Sequence, residues 1–308
     1  MIKNNKRVRV LLTGANGQLG QEIQSLCQSE PYSQLVDLHT CNKSELDISN
    51  PQLVKQVFEA LQPDCIINAA AYTAVDTAEN EKSKAFAVNA KGPLVLAEQA
   101  QGIGARLIHI STDYVFDGKA SVPYCANDNK NPINVYGQSK SEGEDSVLAA
   151  SANNIVIRTG WVYSVYGNNF VKTMLRLMNE KDELSVVEDQ IGTPTWAKTL
   201  ADISLKAAVM SDLNKGQVFH WSNAGVASWY DFAKAIYDEG RRLKLIQSPC
   251  RVIPTQAINF PVIAKRPDYS VLNKCRVIET FKPDVLHWRD ALTQMLEHQA
   301  FLLEKKEC

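Results

Sequence analysis

Residues 8–20 read Val-Arg-Val-Leu-Leu-Thr-Gly-Ala-Asn-Gly-Gln-Leu-Gly, a short apolar run that passes through three evenly spaced glycines into a helix-like stretch. Few folds accommodate that junction. A strand that enters a helix through Gly14, Gly17 and Gly20 must turn sharply, bring bare backbone close to whatever lies beyond its end, and pack the helix tightly on itself. The free N–H groups of the helix N-terminus then face the same place with a partial positive charge, which suits a phosphate. The spacing is GxxGxxG, one residue longer than the commonest dinucleotide fingerprint, and its demands on the backbone are similar. Glycines alone would also fit a structural turn. A position directly after the first strand favours phosphate binding.

The rest of the first half continues that beginning. Candidate strands at Val8–Thr13, Leu35–His39, Cys65–Asn68, Arg106–Ser111 and Ile155–Arg158 are short, mostly rich in Val, Ile and Leu, and too brief for helices. Between them lie helical stretches at Leu19–Cys27, Pro51–Leu61, Glu81–Gln101 and Val135–Ala149, the second capped by Ser49 or Asn50 with Pro51 in its first turn. Such alternation predicts an α/β fold, a Rossmann-type doubly wound parallel sheet whose ligand sits beyond the carboxyl ends of the strands.

After about residue 160 the rhythm loosens into loops at Val165–Asn169 and Glu188–Thr195 around a helix at Phe170–Asn179. A strand-like piece at Gln217–Trp221 and helices near Ala197–Met210, Trp229–Arg241 and Trp288–Lys305 follow. With 308 residues the chain exceeds one compact domain. The expected layout is a nucleotide-binding domain over 1–162, with 197–225 returning to it, and a smaller C-terminal substrate-binding lobe from 163–196 and 226–308.

Composition narrows the partners. A net charge of −1 with 22% charged residues gives no sign of the basic face that nucleic acid requires. No run of about 18 apolar residues exists to cross a membrane, and the apolar stretch before Thr13 is too short for a signal-peptide core. The seven cysteines, Cys27, Cys41, Cys65, Cys125, Cys250, Cys275 and Cys308, are odd in number and form no CxxC pair. They suit a reduced cytoplasmic protein better than a disulfide framework or a zinc site.

Chemistry concentrates at Tyr136 and Lys140, whose i, i+4 spacing puts both side chains on one helix face. A phenol with a free pKa of roughly 10 is a poor acid or base until a nearby cation stabilises its anion, and Lys140 supplies one. The same spacing recurs at Tyr230 and Lys234, among the core-like Trp229, Phe232 and Ile236, and reads there as packing. An upstream partner separates the two pairs. The strand Leu107-Ile108-His109-Ile110 ends in Ser111-Thr112, and a hydroxyl at a strand's carboxyl end is placed to hold a carbonyl. Thr112, Tyr136 and Lys140 form a coherent catalytic set. At the end of the second strand, His39 or Lys43 could meet the 2′-phosphate of NADPH and no carboxylate obviously repels it, unless the strand ends earlier and brings Asp37 to the ribose hydroxyls.

Longer segments carry a resemblance: TGANGQLG at 13–20, PDCIINAAAYTAVDTAE at 63–79, STDYVFDG at 111–118, NPINVYGQSKSEGE at 131–144, RTGWVYSVYGNNFVKTML at 158–175, EDQIGTPT at 188–195 and KRPDYSVL at 265–272. On these the chain resembles the extended short-chain dehydrogenase/reductases, and among them most closely the dTDP-4-dehydrorhamnose reductase family. The resemblance implies NAD(P)H-dependent reduction of the 4-keto group of dTDP-4-dehydro-β-L-rhamnose to dTDP-β-L-rhamnose, with Tyr136 protonating the oxyanion, Thr112 polarising the ketone and Lys140 also holding the nicotinamide ribose. Cofactor contacts would come from Gly14, Asn16, Gly17, Gln18, Leu19, Asp47, Ile48, Ala69, Ala70, Ala71, Ser111, Tyr136 and Lys140. Thr73, Val75, Thr112, Trp161, Asn169 and Arg266 would contact the sugar nucleotide, Trp161 at the sugar ring and Asn169 and Arg266 at the diphosphate.

Two other readings share the Tyr/Lys fold: a non-catalytic regulatory subunit like the β subunit of methionine adenosyltransferase, and a sugar-nucleotide epimerase or dehydratase. The retained Trp161 and the GNNF and EDQIGTPT segments favour the reductase. In one respect the resemblance breaks. Some family members dimerise around Mg²⁺ held by three glutamates; Glu22 matches the first, but the second falls at Lys198 and the third near His298 or Glu297. A protonated lysine repels a cation. The expectation is therefore no bound metal, no need for Mg²⁺, and a monomer or a homodimer not bridged by metal.

Overall fold

The computed structural model describes residues 7–211, 213, 217–260 and 262–307. Five strands, β1 (Val8–Thr13), β2 (Val36–Cys41), β3 (Cys65–Asn68), β4 (Arg106–Thr112) and β5 (Ile155–Thr159), are joined by a sixth at Gln217–His220. They form one sheet in which the sixth strand borders β5, followed by β4, β3, β1 and β2. Every pairing is parallel.

A parallel sheet must be covered on both faces, and the period-two alternation of each strand meets that need. Val10 and Leu12 of β1 point into a core completed by the helices Gln18–Cys27 and Ala197–Val209, with Val277 and Phe281 from the C-terminal quarter. Leu11, between them in sequence, points to the opposite core under the helices Pro51–Leu61, Gly92–Ile103 and Val135–Ala150. From β1 the chain goes to β2 on one side and then crosses to β3 on the other. The crevice at that reversal opens beyond Thr13 and Asn68, where a doubly wound sheet binds its ligand.

A third core lies outside the sheet. It gathers Val171 and Met174 of the helix Phe170–Glu180, Phe232 and Ile236 of Trp229–Arg242, and Trp288, Leu292 and Leu296 of Trp288–Glu307. The parallel strands Glu183–Val187 and Arg251–Thr255 flank it, a pairing the sequence did not disclose. Phe232 is fully buried there, a burial that contributes roughly 2–3 kcal/mol.

The stretch expected as one helix over Glu81–Gln101 is divided. Helices at Val75–Asn80 and Lys82–Phe86 lead into a single π turn, Ala87–Lys91, before the long helix starts at Gly92 with Pro93 in its first turn. The cause is Asn89, a buried side chain whose Oδ1 accepts from Tyr72 N (2.8 Å) and whose Nδ2 donates to Tyr72 O (2.9 Å). Those bonds fix the loop after β3. Among the described residues no helix is long and apolar enough to cross a membrane.

Candidate active site

At the end of β1, Gly14 adopts φ +70°, a conformation that L side chains rarely take. A Cβ there would stand 2.6 Å from Ala70 N and 2.7 Å from Ala69 C, so the crevice closes around bare backbone. Gly17 caps the following helix without a side-chain hydrogen bond, leaving the first N–H groups of that helix unclaimed by any cap. A cavity of about 260 Å³ opens here, lined by Gly14, Asn16, Gly17, Lys43, Asp47, Ile48 and Ala69–Ala71 among others. A diphosphate with its nucleoside fits such a cradle. Of the two basic candidates, Lys43 lines the cavity, whereas His39 Nε2 pairs with Asp37 at 3.2 Å. Asp37 is the second residue of β2, remote from the strand's carboxyl end.

A second cavity, about 490 Å³, shares Gly17, Ala69 and Ala71 with the first. It brings Thr112, Tyr136 and Lys140 onto one wall, together with Gln18, Leu19, Thr73, Val75, Ser111 and Trp161. Thr112 is the last residue of β4. Tyr136 and Lys140 stand one turn apart near the start of the helix Val135–Ala150, which Asn134 caps by accepting from Gly137 N at 2.7 Å. The Tyr136 ring packs edge-on against Tyr114, with centroids 5.6 Å apart.

The electrostatics of the two side chains differ. Desolvation pushes the Tyr136 phenol up to about 12, with a hydrogen bond from Thr112 opposing, so at neutral pH it carries a proton. Burial brings Lys140 down to about 8 against the attraction of Glu144. The residue is 2% exposed, and its Nζ donates to Ile110 O at 2.6 Å. A proton donor beside a cation that can stabilise the resulting phenolate is the requirement for protonating an alkoxide.

Sequence reasoning passed over Asp113, which lines the same cavity at 1% exposure and accepts from Thr112 Oγ1 at 3.0 Å. Burial pushes its carboxyl up to about 6, opposed by hydrogen bonds from Ser270 and Thr112. The signal available was only its place beside Thr112 at a strand end.

Trp161 is half-buried, lining this cavity while also packing against the third core, and its backbone is left-handed at φ +51°. For a bulky residue that conformation costs of order 1–3 kcal/mol and needs support from its surroundings. Trp229 gives it by stacking face to face, centroids 3.5 Å apart and planes 5° from parallel. Gly192 also lies against Trp161, and a Cβ there would come within 2.5 Å of its indole. Trp229 was expected among packing residues, and it also lines a third cavity of about 270 Å³ with Phe170, Gln190, Phe260 and Arg266. Arg266 stands at that cavity rather than beside Tyr136, its fork held by both carboxylate oxygens of Asp76 (3.1 and 2.7 Å). Asn169 caps the helix Phe170–Glu180 by accepting from Lys172 N and donates to Gln18 Oε1 and Ser164 O. Its neighbour Asn168 lines the second cavity. Lys234 lies over the Tyr237 ring, and Tyr230 packs against the third core.

Glu22 is buried and accepts from Ser164 Oγ at 2.6 Å, and the charge of Lys198 acts on it. Among the described residues no group of three or more His, Cys, Asp or Glu side chains could hold a metal ion.

Comparison with known proteins agrees with this geometry. The family model described as RmlD substrate binding domain matches residues 8–301. A dTDP-4-dehydrorhamnose reductase of Aggregatibacter actinomycetemcomitans is 41% identical, over 92% of this chain and 97% of its own. The enzyme of the same name from Escherichia coli K12 is 38% identical, over 94% and 97%. A crystal structure of dTDP-4-dehydrorhamnose reductase from Bacillus anthracis in complex with NADP superposes with a TM-score of 0.87 at 38% identity, over 95% of this chain and all of that one. With a parallel sheet, a glycine turn and a Thr/Tyr/Lys wall on one cavity, and a match that runs nearly end to end, the chain belongs to the RmlD substrate-binding-domain family.

Proposed function

We propose that this protein is an NAD(P)H-dependent oxidoreductase that reduces the 4-keto group of dTDP-4-dehydro-β-L-rhamnose to give dTDP-β-L-rhamnose. The observation that carries the reading is the convergence of Thr112, Tyr136 and Lys140 on a cavity that shares Gly17, Ala69 and Ala71 with the glycine-turn cradle. A dinucleotide lying across the two would bring its nicotinamide beside the catalytic wall.

When bound, NADPH supplies the hydride for the ketone carbon. Thr112 turns its hydroxyl from Asp113 toward the carbonyl oxygen and polarises it. Tyr136 gives its proton to the oxyanion that forms at the sugar C4, and Lys140 stabilises the phenolate left behind. Trp161 supplies a flat apolar face for the sugar ring, while Thr73 and Val75 border it from the clasped loop after β3. Arg266, kept in place by Asp76, offers its remaining donors to the diphosphate. Lys43 favours NADPH through its 2′-phosphate. The six cysteines among the described residues are free, in keeping with a cytoplasmic enzyme. Lys198 beside Glu22 favours a monomer, or a homodimer formed without metal.

The test follows the nicotinamide absorbance with dTDP-4-dehydro-6-deoxyglucose and the epimerase that supplies the L-sugar. One NADPH should disappear per sugar reduced, with kcat/KM for NADPH at least equal to that for NADH. Turnover with no net loss of NADPH would mark an epimerase, and no turnover at all a cofactor-binding scaffold.

A further inference from the structure

His109 sits in the middle of β4 with no exposure to solvent. Its Nδ1 lies 3.0 Å from Asn68 Nδ2 on β3, and its Nε2 lies 3.3 Å from Lys140 Nζ. The orientation of the Asn68 amide decides where the imidazole proton resides. Asn68 Oδ1 accepts from Thr13 Oγ1 at 2.7 Å and from the backbone N–H of Ala70 at 3.2 Å. A backbone N–H can only donate, so the atom facing it must be the amide oxygen. Asn68 Nδ2 therefore donates to His109 Nδ1, which carries no proton. The ring is neutral, and its single N–H points from Nε2 at Lys140.

That N–H faces a poor partner if Lys140 is an ammonium, which has donors and no lone pair. A neutral amine accepts the bond while still donating to Ile110 O. We propose that His109, oriented by Asn68, biases Lys140 toward the neutral amine and so eases passage of a proton from Lys140 to the Tyr136 phenolate after each reduction. In that step a lysine N–H bond breaks, the tyrosine O–H bond re-forms, and water returns a proton to the amine. His109 touches neither substrate nor cofactor and acts through the lysine; the inference rests on the roles proposed above for Lys140 and Tyr136. Among the described residues, the titratable and charged groups that face Lys140 or its partners are His109 from β4, Tyr136 and Glu144 from its own helix, Asp113 beyond the end of β4 on the same cavity wall, and Arg158 of β5 and Lys130, which pair with Glu144 at 2.8 and 3.5 Å. Burial and the nearby lysine keep His109 well below the ordinary imidazole value, consistent with a ring that stays neutral.

The pH profile of kcat for NADPH-dependent reduction tests this. Donation from Lys140 requires the protonated lysine, so activity falls as pH rises through its pKa. In His109→Leu the bias is gone, and the alkaline fall should move up by about one pH unit or more. Asn68→Asp keeps the acceptor contacts to Thr13 and Ala70 but accepts a proton-bearing Nδ1, turning the Nε2 lone pair toward Lys140; the same shift is expected. An unmoved alkaline limb in either variant, once shown folded by circular dichroism, overturns the proposal. Direct NMR titration of the Lys140 side chain in the NADP-bound wild-type protein needs no substitution, and an amine that keeps its proton up to the free-lysine value of 10.5 also overturns it. Lys140→Met separates the two layers: if it retains wild-type turnover, the underlying catalytic reading is what fails.

Discussion

Burial raises the Tyr136 phenol to about 12, so it holds its proton throughout the neutral range, as the proposed role of proton donor requires. Tyr136→Phe is expected to lower kcat by about 10²–10⁴-fold while NADPH affinity, measured by nicotinamide fluorescence, stays near wild type. Turnover within a few-fold of wild type would remove Tyr136 from the acid role. Asp113 makes a different prediction. Its folded-state value of about 6 lies above the ordinary 3.8, so the native state holds this proton more tightly than the unfolded chain does. The associated stability is fully present below pH 3.8 and is lost as pH rises through about 6, a cost of roughly 3 kcal/mol at neutral pH. Asp113→Asn should therefore melt above wild type at neutral pH, show no such gain in acid, and lose activity; equal melting temperatures at neutral pH would contradict this. At this scale the convergence of Thr112, Tyr136 and Lys140 on one cavity was legible, because helical spacing and a strand-end hydroxyl set them apart from Tyr230 and Lys234. Asp113 was not, since a carboxylate after a threonine also reads as a turn, and only Ser270, brought in from far along the chain, reveals its burial. His109 was hidden for a related reason: one polar residue in an apolar strand does not name its partners.

The elements were easiest to read where burial is two-sided, because parallel strands buried on both faces appear as short continuous apolar runs. The division before Gly92 escaped notice because it arises from the Asn89 clasp on Tyr72, a tertiary contact that overrides helical periodicity. The helix Val135–Ala150 is set on the sheet by a buried pair in which Arg158 of β5 grips both oxygens of Glu144 (2.9 and 2.8 Å), so Tyr136 and Lys140 sit on a rigid support. Trp161 is supported differently, by a stack between a loop and the first turn of the helix Trp229–Arg242. Trp229→Ala removes that stack and lets the left-handed Trp161 backbone relax. The KM for the sugar nucleotide should rise about tenfold with a smaller change in kcat, since an aromatic pair is worth roughly 0.5–1.5 kcal/mol beyond its area. A KM equal to wild type would mean that the stack does not position Trp161 for the sugar.

For the whole molecule, the sheet presents the dinucleotide cradle, and the loops between it and the third core complete the catalytic cavity with Trp161 and Asn168. The sheet's topology followed from the alternation of strands and helices; the parallel pairing of Glu183–Val187 with Arg251–Thr255 did not, because those strands are short and distant in sequence. Lys198, close to Glu22 and above the Trp196 ring at 5.1 Å, puts a fixed positive charge beside the buried carboxyl. Turnover and solution mass are expected to be the same in EDTA as in millimolar Mg²⁺, and a mass halved or activity lost on chelation would refute that. Hydride transfer within the Thr112, Tyr136 and Lys140 cavity is the claim on which the rest depends. Reduction with NADPH deuterated on the transferred face of the nicotinamide C4 tests it most directly, with the product read by mass spectrometry and proton NMR. The expected product carries one deuterium, at the sugar C4 and nowhere else; a sugar formed without that deuterium, or labelled at another carbon, would contradict it.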